Sequence, residues 1–290
     1  MFYSRRLPRF EYHSPGDLGE ACSVLEERRG QARVLAGGTI TLAMMKERRW
    51  TCNCLISLKN IPALEDMTYV EGEGLRLGAM LIHRRIADSP AVQARFSPLA
   101  SACAGIGSPQ IRNMGTIGGN ICCKFPRAEI VPVLVAFRAS ATITAKDGER
   151  IVPVEDVSKA LKRTDILTEI QIPEPDPKGG GAYVRYCVRK AIDYANVGVA
   201  VYLVVEDGVC RDVRIALGGV PVTSRRAEKA EWIMRGAPFN DSLLSEASHA
   251  VSNETKVSAD LDFSAVYKRE LLGVMTRRAL RQAWESATAI

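Results

Sequence analysis

No two of the eight cysteines in this sequence are spaced Cys-x-x-Cys. Spacing therefore gives no support to a metal site. Several cysteines lie in apolar stretches, as buried free thiols of a reducing compartment would. Aromatic residues are scarce, at 6%. Single-stranded nucleic acid is held by aromatics set along a basic stripe, and that combination is missing. The net charge of +6 is carried largely by scattered pairs such as Arg28-Arg29, Arg84-Arg85 and Arg277-Arg278. These suit a solvated surface, or at most a basic face for an acidic protein partner. Long apolar runs are absent too. The longest, 130–137 and 197–205, fall far short of a membrane span. The first ten residues lack the apolar core of a secretory signal, and a cytoplasmic chain is the expectation. Finally, no nucleophile–base set and no cluster of metal ligands can be read from the sequence, so no catalytic residue and no metal ligand is assigned.

What is present is an ordinary globular composition, 47% hydrophobic and 25% charged over 290 residues, enough for two or three subdomains. Two glycine-rich stretches stand out: Ala36-Gly37-Gly38-Thr39 and Gly115-Thr116-Ile117-Gly118-Gly119-Asn120. Paired glycines let the backbone approach a bulky anion and reach φ values that other residues avoid. Successive N–H groups in such turns form a concave anion site. Two such loops suggest two jaws around one phosphorylated ligand.

Along the chain, Ser14, Pro15 and Asp17 open an expected helix ending near Arg29-Gly30. A strand at 33–36 runs into Gly37-Gly38, and a helix over 41–49 follows. Strand, glycine turn and helix in that order form the context of a phosphate loop. Strands are expected at 55–58, 68–70 and 75–79, and helices from His83 and Ser97. Residues 107–120 read as a long glycine-rich loop, with Ile111, Met114 and Ile117 spaced as anchors to a core. A buried helix over 129–137, a hairpin at 141–144 and 151–154, and a strand at 166–172 come next. Residues 174–181, Glu-Pro-Asp-Pro-Lys-Gly-Gly-Gly, read as a stiff-then-loose linker. Beyond it come a β meander (182–188, 199–205, 213–217) and helices over 224–234, 243–251 and 264–284.

Four stretches in this order carry a resemblance. They are Arg33-Val34-Leu35-Ala36-Gly37-Gly38-Thr39, then Gln110-Ile111-Arg112-Asn113 leading to Thr116-Ile117-Gly118-Gly119-Asn120. Arg189-Lys190-Ala191-Ile192-Asp193-Tyr194-Ala195-Asn196-Val197 and the tail Tyr267-Lys268-Arg269-Glu270-Leu271-Leu272 complete the set. Together they resemble the FAD-binding medium subunit of the molybdenum hydroxylases, the family of carbon monoxide dehydrogenase and xanthine dehydrogenase. The resemblance implies an α+β fold: a two-part FAD-binding domain of the vanillyl-alcohol-oxidase type, plus a smaller C-terminal α/β domain with an antiparallel sheet and helices. The expected divisions are 1–57 and 58–173 for the two FAD-binding parts, 174–181 for the linker and 182–290 for the C-terminal domain. The first loop, Arg33, Val34, Leu35, Ala36, Gly37, Gly38, Thr39, Ile40 and Thr41, would wrap the FAD diphosphate. Thr116, Gly118, Gly119 and Asn120 would meet the cofactor from the second loop, with Ile106 and Gly107 beside it. Arg185 matches a basic position near the cofactor, and Tyr194 one beside the isoalloxazine. Glu129 stands where the family usually has Asp, in Phe125-Pro126-Arg127-Ala128-Glu129. Cys122 and Cys123 bring no cysteine-bearing insertion, so no iron–sulfur cluster is expected on this chain.

By the same resemblance, electrons would pass between 2Fe–2S centres on a small subunit and this FAD. A molybdopterin-binding large subunit would handle substrate, and the external acceptor would be NAD, a quinone or ferredoxin. The alternative is a self-contained flavin oxidoreductase of the same fold, which would need acid–base residues of its own. After the linker there is a single histidine, His249, which argues against it. A nucleotide-binding scaffold without redox chemistry is the third reading.

Overall fold

The computed structural model describes residues 6–123, 129–189, 192–220, 225–259 and 263–289. Residues 125–128 of the Glu129 loop, Lys190 and Ala191 of the third family stretch, and Ser224 lie outside them. The chain begins with β1 (Glu11–His13), α1 (Leu18–Glu27), β2 (Ala32–Leu35), α2 (Thr41–Lys46) and β3 (Cys54–Ser57). The strands form a parallel sheet in the order β1-β3-β2, and β3, buried along its whole length, is its centre. Helix α1 starts later than the sequence suggested. Asp17, not Ser14, is its N-cap and accepts the Glu20 N–H at 2.8 Å. Glu20 in turn accepts the Gly16 N–H at 3.0 Å, which closes the helix start from both sides.

The middle of the chain comprises β4 (Met67–Val70), β5 (Gly74–Gly78), α3 (His83–Asp88), α4 (Pro90–Arg95), α5 (Ser97–Gly105), α6 (Pro109–Arg112), α7 (Ile117–Cys122), α8 (Ile130–Ala136), β6 (Ser140–Ala145), β7 (Gly148–Pro153), α9 (Val157–Ala160) and β8 (Ile166–Ile172). The five strands make an antiparallel sheet in the order β4-β5-β8-β6-β7. Every residue of α8 is buried, as its all-apolar sequence requires. The expected long loop over 107–120 instead holds two short helices. Ser108 caps α6 and Thr116 caps α7 through their hydroxyls. Of its three supposed anchors only Ile117 is buried, while Ile111 and Met114 are 36% and 49% exposed. The loop is fixed by backbone contacts rather than by those side chains.

The last part has β9 (Gly179–Tyr186), β10 (Val197–Glu206), β11 (Val209–Gly218), β12 (Arg225–Arg226), α10 (Glu228–Met234), α11 (Asp241–Glu254) and α12 (Ala265–Thr288). Its antiparallel sheet runs β12-β11-β10-β9. The glycines that read as a loose linker end form the start of β9. A Cβ on Gly179 would lie 2.1 Å from the Tyr202 hydroxyl, and one on Gly180 2.2 Å from the Ala283 carbonyl. Glycine is there for close packing, not for freedom. Ala200, Tyr202 and Ala216 of this sheet share one core with α8 and the five-stranded sheet. Arg214 adds a hydrogen bond from Nη1 to the Ala136 carbonyl at 2.9 Å, a cation at the C-terminal end of α8. Among the described residues, no helix is long and apolar enough to cross a membrane.

Candidate functional site

The two glycine stretches meet. A Cβ on Gly37 would lie 1.9 Å from the Met114 carbonyl oxygen, and one on Gly118 would lie 2.7 Å from the Ala79 Cβ. The second stretch is tied down by backbone bonds: Ile117 N–H to the Leu81 carbonyl, Gly118 N–H to the Ala79 carbonyl, and His83 N–H to the Gly115 carbonyl. Beside this junction opens a cavity of about 790 Å³, within the usual range for ligand sites of roughly 300–1,000 Å³.

Among the described residues, the backbone N–H groups of residues 37–41 donate to no protein acceptor. They form a run of donors between the end of β2 and the start of α2. Gly38 has φ +77°, the left-handed conformation that lets the chain curl there. Facing this run is α7, where the Thr116 hydroxyl accepts the Gly119 N–H at 3.1 Å. Asn120 Oδ1 is buried without a partner and its residue lines the cavity. Ile106 and Gly107 contribute another edge.

Every residue assigned to the site from the sequence lines this cavity except Leu35 and Arg185. Leu35 turns into the core with Met45 and Leu55, because strand side chains alternate. Arg185 stands behind Glu129: its Nη1 lies 2.7 Å from Glu129 Oε2 and 2.7 Å from the Gly105 carbonyl. Glu129 is 4% exposed and accepts the Ala195 N–H through Oε1 at 3.3 Å. Burial pushes its carboxyl up to about 7, against the pull of Arg185 and of the Ala195 N–H. Tyr194 is 47% exposed at the cavity edge. Its turn is built by Asp193, whose carboxylate accepts the N–H groups of Arg189 and Tyr194 at 2.9 and 3.0 Å. Ile192 beside it has φ +54°, costly for a β-branched residue.

Sequence reasoning missed several walls. Trp50, Thr51 and Cys52 line one end of the cavity, with the Arg33 guanidinium 4.4 Å above the Trp50 ring. Leu161, Lys162, Arg163 and Asp165 form another wall. Asp165 fixes that turn by accepting the Lys162 N–H at 2.7 Å and pairing with Arg150. No local motif marks these residues; only the fold brings them in. His83, Cys122 and Cys123 also line the cavity.

The donors fit a dinucleotide with a diphosphate at its centre. Unpaired backbone N–H groups suit phosphate oxygens, and Arg33, Lys162 and Arg163 add positive charge to the walls. The glycines leave no side chain between the two loops.

Residues 8–175 match the family described as "FAD binding domain in molybdopterin dehydrogenase". Residues 182–283 match "CO dehydrogenase flavoprotein C-terminal domain". The chain is 34% identical over 282 residues to the carbon monoxide dehydrogenase medium chain of Hydrogenophaga pseudoflava, covering 96% of this chain and 98% of that one. It is 31% identical over 284 residues to the nicotine 6-hydroxylase medium subunit of Paenarthrobacter nicotinovorans, covering 96% and 98%. The structure of carbon monoxide dehydrogenase from Hydrogenophaga pseudoflava superimposes with a TM-score of 0.93 at 34% identity, over 97% of this chain and 99% of the other. Quinoline 2-oxidoreductase from Pseudomonas putida 86 gives 0.91 at 28% identity, over 97% and 99%.

Proposed function

The chain belongs to the FAD-binding medium subunits of the molybdenum hydroxylases, and from this premise we propose that it passes electrons between 2Fe–2S centres on a small partner subunit and an external acceptor. Its cofactor is FAD, and it is a subunit of an oxidoreductase. When bound, FAD supplies the exchange between one-electron and two-electron carriers. The chain's own residues bind and orient. The N–H groups of residues 37–41 would hold the diphosphate, Thr116, Gly118, Gly119 and Asn120 would close on it from the other jaw, and Tyr194 would cover the ring. Glu129, on the cavity wall, would fix the Tyr194 turn through the Ala195 N–H. No residue is assigned to proton transfer.

The observation that carries this reading is the run of unpaired N–H donors facing the capped α7 in one cavity. The proposed division of the chain is 1–57, 58–173 and 182–290, with 174–181 between them. A molybdopterin-binding large subunit completes the proposed complex, with NAD, a quinone or ferredoxin as acceptor. His249, on α11, is not among the cavity-lining residues, which weighs against a self-contained oxidoreductase. The test is direct. The purified full chain should bind one FAD and show a flavin spectrum, and tagged chain expressed with its neighbours should bring down two further subunits. A chain that takes up no flavin on reconstitution refutes the cofactor site. A chain that binds flavin but turns over substrate unaided refutes the subunit reading.

A further inference from the structure

After α2 the chain reverses at Arg48, which has φ +60°. The Arg49 and Trp50 N–H groups both donate to the Met44 carbonyl, at 3.0 and 3.3 Å. Trp50 packs against the cluster of Leu35, Met45 and Leu55, so its ring is held from the protein side. Over the ring lies the Arg33 guanidinium, 4.4 Å from the centroid. Both residues are half-buried and both line the cavity. Among the described residues this guanidinium donates no hydrogen bond and meets no carboxylate. A guanidinium is planar, and one laid on an aromatic ring has a second face to offer. The strand beside it is open as well. β2 is the edge of its sheet, and Ala32, Arg33, Val34 and Ala36 line the cavity along it. An edge strand presents backbone donors and acceptors that no neighbouring strand uses.

We propose that Trp50 is a specificity-determining residue of the cofactor site: it holds the Arg33 guanidinium as a platform on which the adenine of the bound dinucleotide stacks. This rests on the FAD reading given above. That reading puts the diphosphate on residues 37–41 and the isoalloxazine beside Tyr194, which leaves the adenosine arm for another wall. Arg33 lies roughly 13 Å along the strand from Gly37, at about 3.3 Å per residue, a distance that an extended ribose and purine cover. A purine is flat and carries donors and acceptors at its rim, so it suits a stacking plane beside an open strand edge. Bases stack on arginine planes and on aromatic rings alike. Trp50 has the part of a positioning residue here, acting on the base through Arg33.

The test uses the full chain freed of flavin, with FAD, FMN and ADP as probes. Trp50→Leu removes the ring and keeps an apolar side chain against Met45; Trp50→Phe keeps a ring. Arg33→Lys keeps the charge and removes the plane. Flavin fluorescence follows FAD and FMN, competition with FAD follows ADP, and thermal melting without ligand follows folding. Affinity for FAD and for ADP should fall about tenfold in Trp50→Leu and about fivefold in Arg33→Lys, and Trp50→Phe should keep most of it. FMN has no adenine, so its affinity should match wild type in all three variants. Of the three tryptophans, Trp232 and Trp284 lie on α10 and α12 and do not line the cavity. ADP should therefore change the tryptophan emission of wild type and not that of Trp50→Phe. Should Trp50→Leu not fold, Arg33→Lys decides. FAD binding within twofold of wild type by Trp50→Leu or Arg33→Lys overturns the proposal. So does an FMN loss equal to the FAD loss, which would make the pair a packing or phosphate contact, and so does bound ADP that leaves the emission of Trp50 unchanged. Wild-type chain that binds no FAD would instead refute the reading on which this one rests.

Discussion

Gly37→Ala is the sharpest perturbation of the proposed clamp. Gly37 does not have a positive φ, so alanine meets no backbone strain there, only a contact. The added Cβ would lie 1.9 Å from the Met114 oxygen and 2.7 Å from its carbonyl carbon, both rigid backbone atoms. Cβ atoms do not approach other heavy atoms within about 3 Å, so the two loops must part by about 1 Å. Overpacking of this kind costs roughly 1–3 kcal/mol. The donors of residues 37–41 and the α7 jaw sit on opposite sides of that contact, so their joint grip on the diphosphate loosens as well. A tenfold loss of FAD affinity corresponds to about 1.4 kcal/mol and is the minimum expected. Gly16→Ala is the control, because a Cβ there meets nothing within 4 Å. Flavin retained per chain after gel filtration, together with a fluorescence titration, reads the effect. If Gly37→Ala binds FAD within twofold of wild type and melts with it, the two loops do not form the clamp argued here.

Glu129→Gln should flatten the pH dependence of stability in the flavin-free chain. Burial raises the Glu129 carboxyl from 4.5 to about 7, so its stabilising contribution is complete below about 4.5 and is lost as pH rises through 7. Across that window wild type should lose on the order of 3 kcal/mol relative to the Gln variant; urea unfolding at pH 5 and pH 8 that runs parallel in the two proteins would disprove this. Thr116→Ala removes the acceptor of the Gly119 N–H and should cost about 1 kcal/mol. Thr116→Ser should not, and equal melting temperatures for the two variants would refute the cap. Arg185→Met leaves the Glu129 carboxylate and the Gly105 carbonyl without their shared donor. At pH 8 the loss should be about 3 kcal/mol and should shrink when Glu129→Gln is added; an additive double variant in denaturant melts would show that the two residues do not interact.

The first glycine loop was legible in the sequence because a glycine pair between a strand and a helix announces itself by spacing, and so does an all-apolar helix such as α8; the second pair, read as part of a long loop, lies inside α7. The errors have equally physical causes. Assigning Leu35 to the site ignored the alternation of side chains along β2. Reading Gly179, Gly180 and Gly181 as loose ignored that glycine is also chosen where another chain presses close, here Tyr202, Ala283 and Phe137. The turn around Lys162, the Trp50 end and His83 could not be found locally. They reach the cavity only because three sheets and their helices pack in one way.

Arg185 shows why a residue can be placed near a site correctly in the chain and yet play a different part there. It was expected near the cofactor, and it stands behind Glu129 rather than on the cavity wall. Its guanidinium joins the end of α5, through the Gly105 carbonyl, to the head of α8, through Glu129, and it does so from β9 of the antiparallel sheet. Glu129 then passes the connection on to the Ala195 N–H, next to Tyr194 at the cavity edge. The α5 end, the α8 head and the Tyr194 turn are therefore joined through Arg185 and Glu129, and Glu129 is 4% exposed. In so dry a position a carboxylate is tolerated only when its partners are fixed. The sheet that follows residue 178 is consequently more than an appendage. It supplies both the cation that holds Glu129 and the turn that Glu129 holds, so the cavity is complete only when that sheet is docked.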